Sequence, residues 1–281
     1  MKYIKNFLKG IVIGVSTLVP GVSGGTMAII LGIYDKIIHS ISNFFKDIKN
    51  NTIFLGVVGV GGLIGIFAFS NIIDYGLKNF RFIMIFLFLG IIVGGMPVLF
   101  KKAEIKSIKV FDIIMFLIGV ILVVLTSFSK STVVNLASSE GMINMLFMVL
   151  AGFIMAVALV LPGISGSFFL LTIGLLELTT SAIKNLNMPY LIPFALGIAL
   201  GVILTTKALE SLMNKHTKPT YLIILGFVIG SIFVIFKDNI PSGIDILYSA
   251  IAMIVGYFIT NTITRLGKRY GEEEVCNKTK M

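Results

Sequence analysis

The sequence predicts an all-α polytopic membrane protein made of two inverted repeats, each a re-entrant helical hairpin followed by three transmembrane helices. Three observations predict it. Hydrophobic residues fill 57% of the 281 positions and charged residues only 13%, against roughly 25% charged in a soluble domain; mean hydropathy is +1.03. Apolar runs long enough for a hydrocarbon core of about 30 Å recur along the whole chain. A Pro-Gly motif opens each half, PGVSGG at 20–25 and PGISGS at 162–167.

The duplication is read residue against residue. GIVIGVSTLVPGVSGGTMAIILGIYD (10–35) aligns without a gap with GFIMAVALVLPGISGSFFLLTIGLLE (152–177), an offset of 142. Gly10, Val15, Pro20, Gly21, Ser23, Gly24 and Gly32 meet Gly152, Val157, Pro162, Gly163, Ser165, Gly166 and Gly174, and Asp35 meets Glu177. A second register, offset by 136, sets Gly61, Gly65 and Asp74 against Gly197, Gly201 and Glu210. It also sets Gly90, Gly94, Phe100 and Lys101 against Gly226, Gly230, Phe236 and Lys237. Registers held over several segments mark an internal repeat.

The elements follow in order. Lys2, Lys5 and Lys9 before an apolar run imitate a secretory signal. That run leads straight into a motif the chain repeats internally, so cleavage is not expected. The first repeat, 1–128, holds a hairpin at 10–34 and spans at 53–73, 82–100 and 111–128. A connecting loop, 129–149, leads to the second repeat, 150–264, with a hairpin at 150–178 and spans at 190–206, 221–236 and 246–264. Residues 265–281 form a polar cytoplasmic tail. Helices are required because backbone facing lipid must satisfy its own hydrogen bonds, and no ten-residue alternation of a membrane barrel is present.

Each broken segment either crosses as a kinked helix or dips in and returns. The arms 10–19 and 25–34 are ten residues each, and at about 1.5 Å per residue each reaches roughly half-way across. Charge favours the hairpin. With the N-terminus inside and both segments re-entrant, 18 of the 23 Lys and Arg face the cytoplasm and 5 face outward; if both segments span, the division is 14 and 9. The positive-inside rule selects the first arrangement, with both termini cytoplasmic. Three spans per half is an odd number, which turns the second half over. Broken helices of inverted repeats recurrently meet at midplane substrate sites in transporters.

The tips carry the candidate chemistry. Proline lacks an N–H and breaks a helix, and glycine lets other groups approach the backbone closely. The N-terminus of the following half-helix presents N–H groups suited to an anion such as phosphate. Ser23 and Thr26 add hydroxyls at the first tip, Ser165 and Ser167 at the second. The structural alternative is that Pro-Gly merely kinks packed helices while the serines bond backbone carbonyls. Two copies in register favour binding.

Four acids are candidates for proton or sodium coupling, because a carboxylate inside a membrane is costly and often functional. Asp35 and Glu177 end the returning arms, while Asp74 and Glu210 lie near the ends of equivalent spans. Pairing at the interface with Lys36, Lys78 or water is the alternative reading. Arg81 either guides phosphate from outside or anchors its helix. His39 and His216 read as solvated loop residues, and GxxxG spacings such as Gly61/Gly65 read as helix packing. The net charge of +10 speaks for topology and anionic lipid rather than nucleic acid. Cys276, the sole cysteine, excludes an intrachain disulfide. No metal-ligand spacing or Walker-type loop appears, and no cofactor is implied.

At the two PGxSG motifs the sequence resembles the bacterial PopT-type polyprenyl-phosphate transporter family, formerly domain of unknown function 368, over nearly the whole chain. The resemblance implies translocation of undecaprenyl phosphate from the outer to the cytoplasmic leaflet of the cell membrane, recycling a carrier lipid of envelope synthesis. It assigns the phosphate to Pro20, Gly21, Ser23, Gly24, Gly25 and Thr26 and to Pro162, Gly163, Ser165 and Gly166, with Ser167 standing opposite Gly25. A homo-oligomer is compatible with it. The main rival is a membrane undecaprenyl-diphosphate phosphatase, whose motif resembles PGxSRSG. Here Gly24 and Gly166 stand where that arginine would, and phosphoryl transfer depends on such positioned charge. A small-ion exchanger is the second rival.

Overall fold

The computed structural model describes residues 2–19, 22–105, 107–128, 142–166, 169–170, 173–237 and 239–278. Among them are eleven α-helices and one short 3-10 turn. The first half contains α1 (Lys2–Thr17), α2 (Gly24–Ile30), α3 (Tyr34–Ser42), the 3-10 turn Phe44–Lys46, α4 (Ile48–Asn79), α5 (Arg81–Lys102) and α6 (Val110–Phe128). The second contains α7 (Met142–Val160), α8 (Leu176–Lys184), α9 (Met188–Lys215), α10 (Thr217–Lys237) and α11 (Asp245–Lys278). Five described helices are long and apolar enough to cross a membrane: α4, α5, α9, α10 and the stretch Asp245–Thr264 of α11. The apolar parts of α6 and α7 are shorter.

Helix ends differ from the apolar runs that announce them. The run 53–73 lies inside a 32-residue helix, α4, and the run 190–206 inside a 28-residue helix, α9. Hydropathy measures the hydrocarbon crossing, whereas the helix continues until a cap stops it. Asp47 starts α4 by accepting from the Asn50 N–H, and Asn187 starts α9 by accepting from the Tyr190 N–H, with Pro189 in the first turn. Helix α1 starts at Lys2, ahead of the expected segment 10–34, α7 begins within the expected loop 129–149, and α11 carries on through most of the expected tail.

Glycine seams fix the packing. An added Cβ at Gly10, Gly61 or Gly65 would run into the carbonyl oxygens of Val58, Phe7 and Ile11, so α1 and α4 touch backbone to backbone. In the second half Gly152, Gly197 and Gly201 stand in the same way against the carbonyls of Phe194, Val149 and Phe153. Each of these residues lies 142 or 136 positions beyond its counterpart. The remaining seams join the halves. Gly90 and Gly94 of α5 meet the Met253 and Tyr257 carbonyls of α11, while Gly226 and Gly230 of α10 meet the Phe116 and Val120 carbonyls of α6.

The two broken segments share one hydrogen-bond register. The Met27 N–H donates to the Ser23 carbonyl and the Ile33 N–H to the Ala28 carbonyl; Phe169 to Ser165 and Leu175 to Leu170 repeat the pattern. Gly32 and Gly174 then turn the chain at φ +68° and +75°, a left-handed conformation that glycine adopts without steric cost. The principal core lies around the first broken segment, where Val22, Ile29 and Ile33 pack with Val160, Ile224 and Val228. Phe67 is 77% exposed and Phe258 59%, in keeping with apolar side chains turned to lipid.

Candidate functional site

Where α1 stops, the chain turns and restarts as α2, and Ser23 is the residue that restarts it. Its backbone is extended (φ −92°, ψ 135°) and its side chain accepts from the Gly25 N–H at 3.2 Å. A hydroxyl that accepts keeps its own proton to donate, so the capped serine still offers an O–H. Ser23 is 5% exposed. Thr26, one turn along, is 1% exposed, and its Oγ1 has no hydrogen-bond partner. An unpaired buried hydroxyl costs about 1–3 kcal/mol, and this one leaves its donor and acceptor capacity unused. Helix α2 has only seven residues, so its dipole is weaker than the sequence argument assumes and the hydroxyls carry more of the case.

The tips abut. A Cβ added at Gly25 would stand 3.2 Å from the Pro162 Cα. Gly24 leans on its own arm, where an added Cβ would be 3.0 Å from the Thr17 methyl; Gly166 does the same at 2.7 Å from Leu159. Gly163 has φ +86°, and a Cβ there would be 2.6 Å from the Phe227 backbone of α10. Ser165 is half-buried beside Gly166. The structure therefore sets Gly25 of the first tip against Pro162 of the second; Ser23, Gly24 and Thr26 adjoin the former in sequence, and Gly163, Ser165 and Gly166 follow the latter. Pro20, Gly21 and Ser167 lie outside the described residues.

The four acids are elsewhere. Asp35, in the first turn of α3, accepts from the Tyr221 hydroxyl at 2.8 Å and pairs with Lys102. Asp74 pairs with Lys78 at 2.7 Å along exposed helix. Glu210 accepts from Asn43 at 2.7 Å and bonds His39. Glu177 is exposed in the first turn of α8. None of these contacts reaches a tip residue. Arg81 opens α5, and its Nε donates to the Asn239 Oδ1 at 3.0 Å. Asn239 is 7% exposed and in turn donates to the Ile235 carbonyl.

Several polar contacts escaped the sequence reading. His39 is not a loop residue: it lies on α3 and holds Glu210. Asp112 is buried and pairs with Lys218; a lone acid two residues into an apolar helix was the available signal. Two cavities, of about 520 and 690 Å³, flank His39 and Asn43 rather than the tips.

Residues 13–243 match the VCA0040-like family, described as undecaprenyl phosphate translocase-like. A polyprenyl-phosphate transporter of Staphylococcus aureus is 35% identical over 274 residues, covering 93% of this chain and 96% of the relative. A polyprenyl-phosphate transporter of Vibrio cholerae is 28% identical over 246 residues, covering 83% and 77%. No solved structure matches significantly.

Proposed function

We propose, from the premise that this chain belongs to the VCA0040-like family of undecaprenyl phosphate translocase-like proteins, that its abutting hairpin tips hold the phosphate of the lipid as it crosses the membrane. The chain is a multi-pass polyprenyl-phosphate transporter, not an enzyme. The observation that carries the tip assignment is Thr26, whose buried hydroxyl lacks a partner one residue from the Gly25–Pro162 contact. Ser23, Thr26 and Ser165 would donate to phosphate oxygens, and the glycines would let backbone N–H groups approach them. An unpaired phosphate in hydrocarbon is prohibitively costly; donors fixed between two tips lower that barrier while the polyprenyl tail stays in lipid.

The reading includes inverted repeats, both termini cytoplasmic, and movement from the outer to the cytoplasmic leaflet. The matched glycine seams and hairpin registers support the repeat. One asymmetry supports alternation. Helix α3 packs on α9, with Glu210 held by His39 and Asn43. The corresponding pair, α8 and α4, is scarcely in contact among the described residues; Asp74, the counterpart of Glu210, pairs along its own helix instead. One end is thus latched and its counterpart open, and exchange of the two arrangements would carry a site between leaflets. Asp35, Glu177, Asp74 and Glu210 are the coupling candidates, for proton or sodium, and Arg81, with one guanidinium nitrogen on Asn239, would receive phosphate from outside. A homo-oligomer is part of the same reading.

The test is to replace Ser23, Thr26 and Ser165 by alanine and measure undecaprenyl phosphate exposed on the cell surface. Loss of transport raises surface exposure; unchanged levels in well-expressed variants refute the assignment. For topology, Lys46→Cys and Asn185→Cys, each in a Cys276→Ser background, should label from opposite sides.

A further inference from the structure

We infer that the chain carries a second lipid contact, a site for the headgroup of an anionic phospholipid, between the turn joining α3 to α4 and the last turns of α9. The cavity there measures about 690 Å³ and is lined by Lys46, Lys207 and Lys215 together with Ser211 and Asn214. Those three lysines are exposed and have no ion-pair partner among the described residues. The one acid in the lining, Glu210, is already engaged by His39 and Asn43, so the cavity is left with uncompensated positive charge. Phe45 stands at its edge, 79% exposed, and Ile48 follows at 55%. Aromatic and apolar side chains exposed beside lysines at the end of a spanning helix belong at the boundary between headgroups and acyl chains.

The internal repeat supplies a control. The positions of α4 that correspond to Lys207 and Lys215 of α9 are Asn71 and Asn79. Both helices end at corresponding residues, Asn79 and Lys215, and both end residues are followed by a capping residue of similar geometry, Phe80 and His216. Helix geometry therefore accepts asparagine at these places. The helix end itself therefore does not require lysine; positive-inside topology favours it on this side, and three ammonium groups against one carboxylate around a single interfacial cavity are complementary to phosphodiester headgroups. The site is separate from the tips and does not depend on which lipid is transported.

The experiment is native mass spectrometry of the full chain in detergent, titrated with phosphatidylglycerol, with phosphatidylcholine, and with inorganic phosphate as competitor. Phosphatidylglycerol should be retained over phosphatidylcholine, and Lys207→Asn with Lys215→Asn should lower its retention by roughly tenfold, since each lysine near a charged surface contributes on the order of one decade or less. Lys46→Asn alone should lower it by a smaller factor, and all variants should keep the wild-type melting temperature. Equal retention of the two phospholipids, or unchanged retention in the folded double variant, overturns the inference. Displacement by inorganic phosphate at equal concentration would overturn it too, by marking a site for a free anion.

Discussion

The Tyr34 hydroxyl donates to the Val160 carbonyl at 2.8 Å, across 126 positions of sequence and in a buried setting. Val160 is the last residue of α7, two residues before Pro162, where a broken helix leaves carbonyls without their usual N–H partners. A side chain at the start of α3 thus completes the backbone at the end of α7. Tyr34→Phe removes the donor and keeps the ring. It should destabilise by about 1–3 kcal/mol, the cost of a buried acceptor left unpaired. A thermal-shift measurement in detergent checks this, and the transport rate should fall further than the melting temperature alone explains.

Gly25 measures how closely the tips must approach. Gly25→Ala places a methyl 3.2 Å from the Pro162 Cα, a few tenths of an ångström of adjustment. Gly25→Val cannot be accommodated without separating the tips. Alanine should retain much of the transport and valine should lose it at least tenfold while both reach the membrane, as read by surface levels of lipid phosphate against expression.

Gly163 should be far less tolerant. Its φ of +86° is unfavourable for any side chain, and a Cβ would press on the Phe227 backbone. Gly163→Ala should lower stability by about 1–3 kcal/mol from backbone strain alone, with the clash in addition. Limited proteolysis of the purified variant would register it.

The seams predict matched sensitivity. Gly65→Val and Gly201→Val each push a side chain into a carbonyl on the facing arm, so both should destabilise strongly and to a similar degree. Gly56→Val and Gly59→Val, on the same helix α4 but facing open space, should be near neutral. Melting temperatures of the four variants decide it; equal losses at all four would remove the seam as the cause.

Alternation predicts a contact not present in this arrangement. With Cys276→Ser as background, His39→Cys/Glu210→Cys should cross-link readily with a short bis-maleimide. Asp74→Cys/Ser181→Cys, the corresponding pair, should cross-link only during turnover and should then arrest transport. A pair that never reacts in cells making undecaprenyl phosphate would count against exchange of the two ends.

Much of this fold was legible because the code was repeated. Apolar runs gave the helices, and a gapless register gave the correspondence of hairpins and seams. Registers relate like to like, however, and the bonds that join the halves pair unlike residues far apart: His39 with Glu210 across 171 positions, Lys218 with Asp112 across 106. Nothing local announces such a partner. The tips were legible as motifs, since Pro-Gly breaks a helix wherever it stands, yet the contact of Gly25 with Pro162 depends on packing that no spacing encodes. For the acids the sequence left coupling and interface pairing open; Lys78, named there, pairs with Asp74, whereas the partners Lys102 of Asp35 and His39 of Glu210 come from distant segments.

The seams that cross between halves bear on how the molecule is made. Gly90 and Gly94 of α5 are filled by Met253 and Tyr257 of α11, which is translated about 150 residues later. Until it arrives, α5 exposes a groove shaped for backbone. A chain stopped before Asp245 would keep the whole first half and still be unable to close it, so biogenesis has to shield that groove, and the emergence of α11 becomes the event that lets the two halves join.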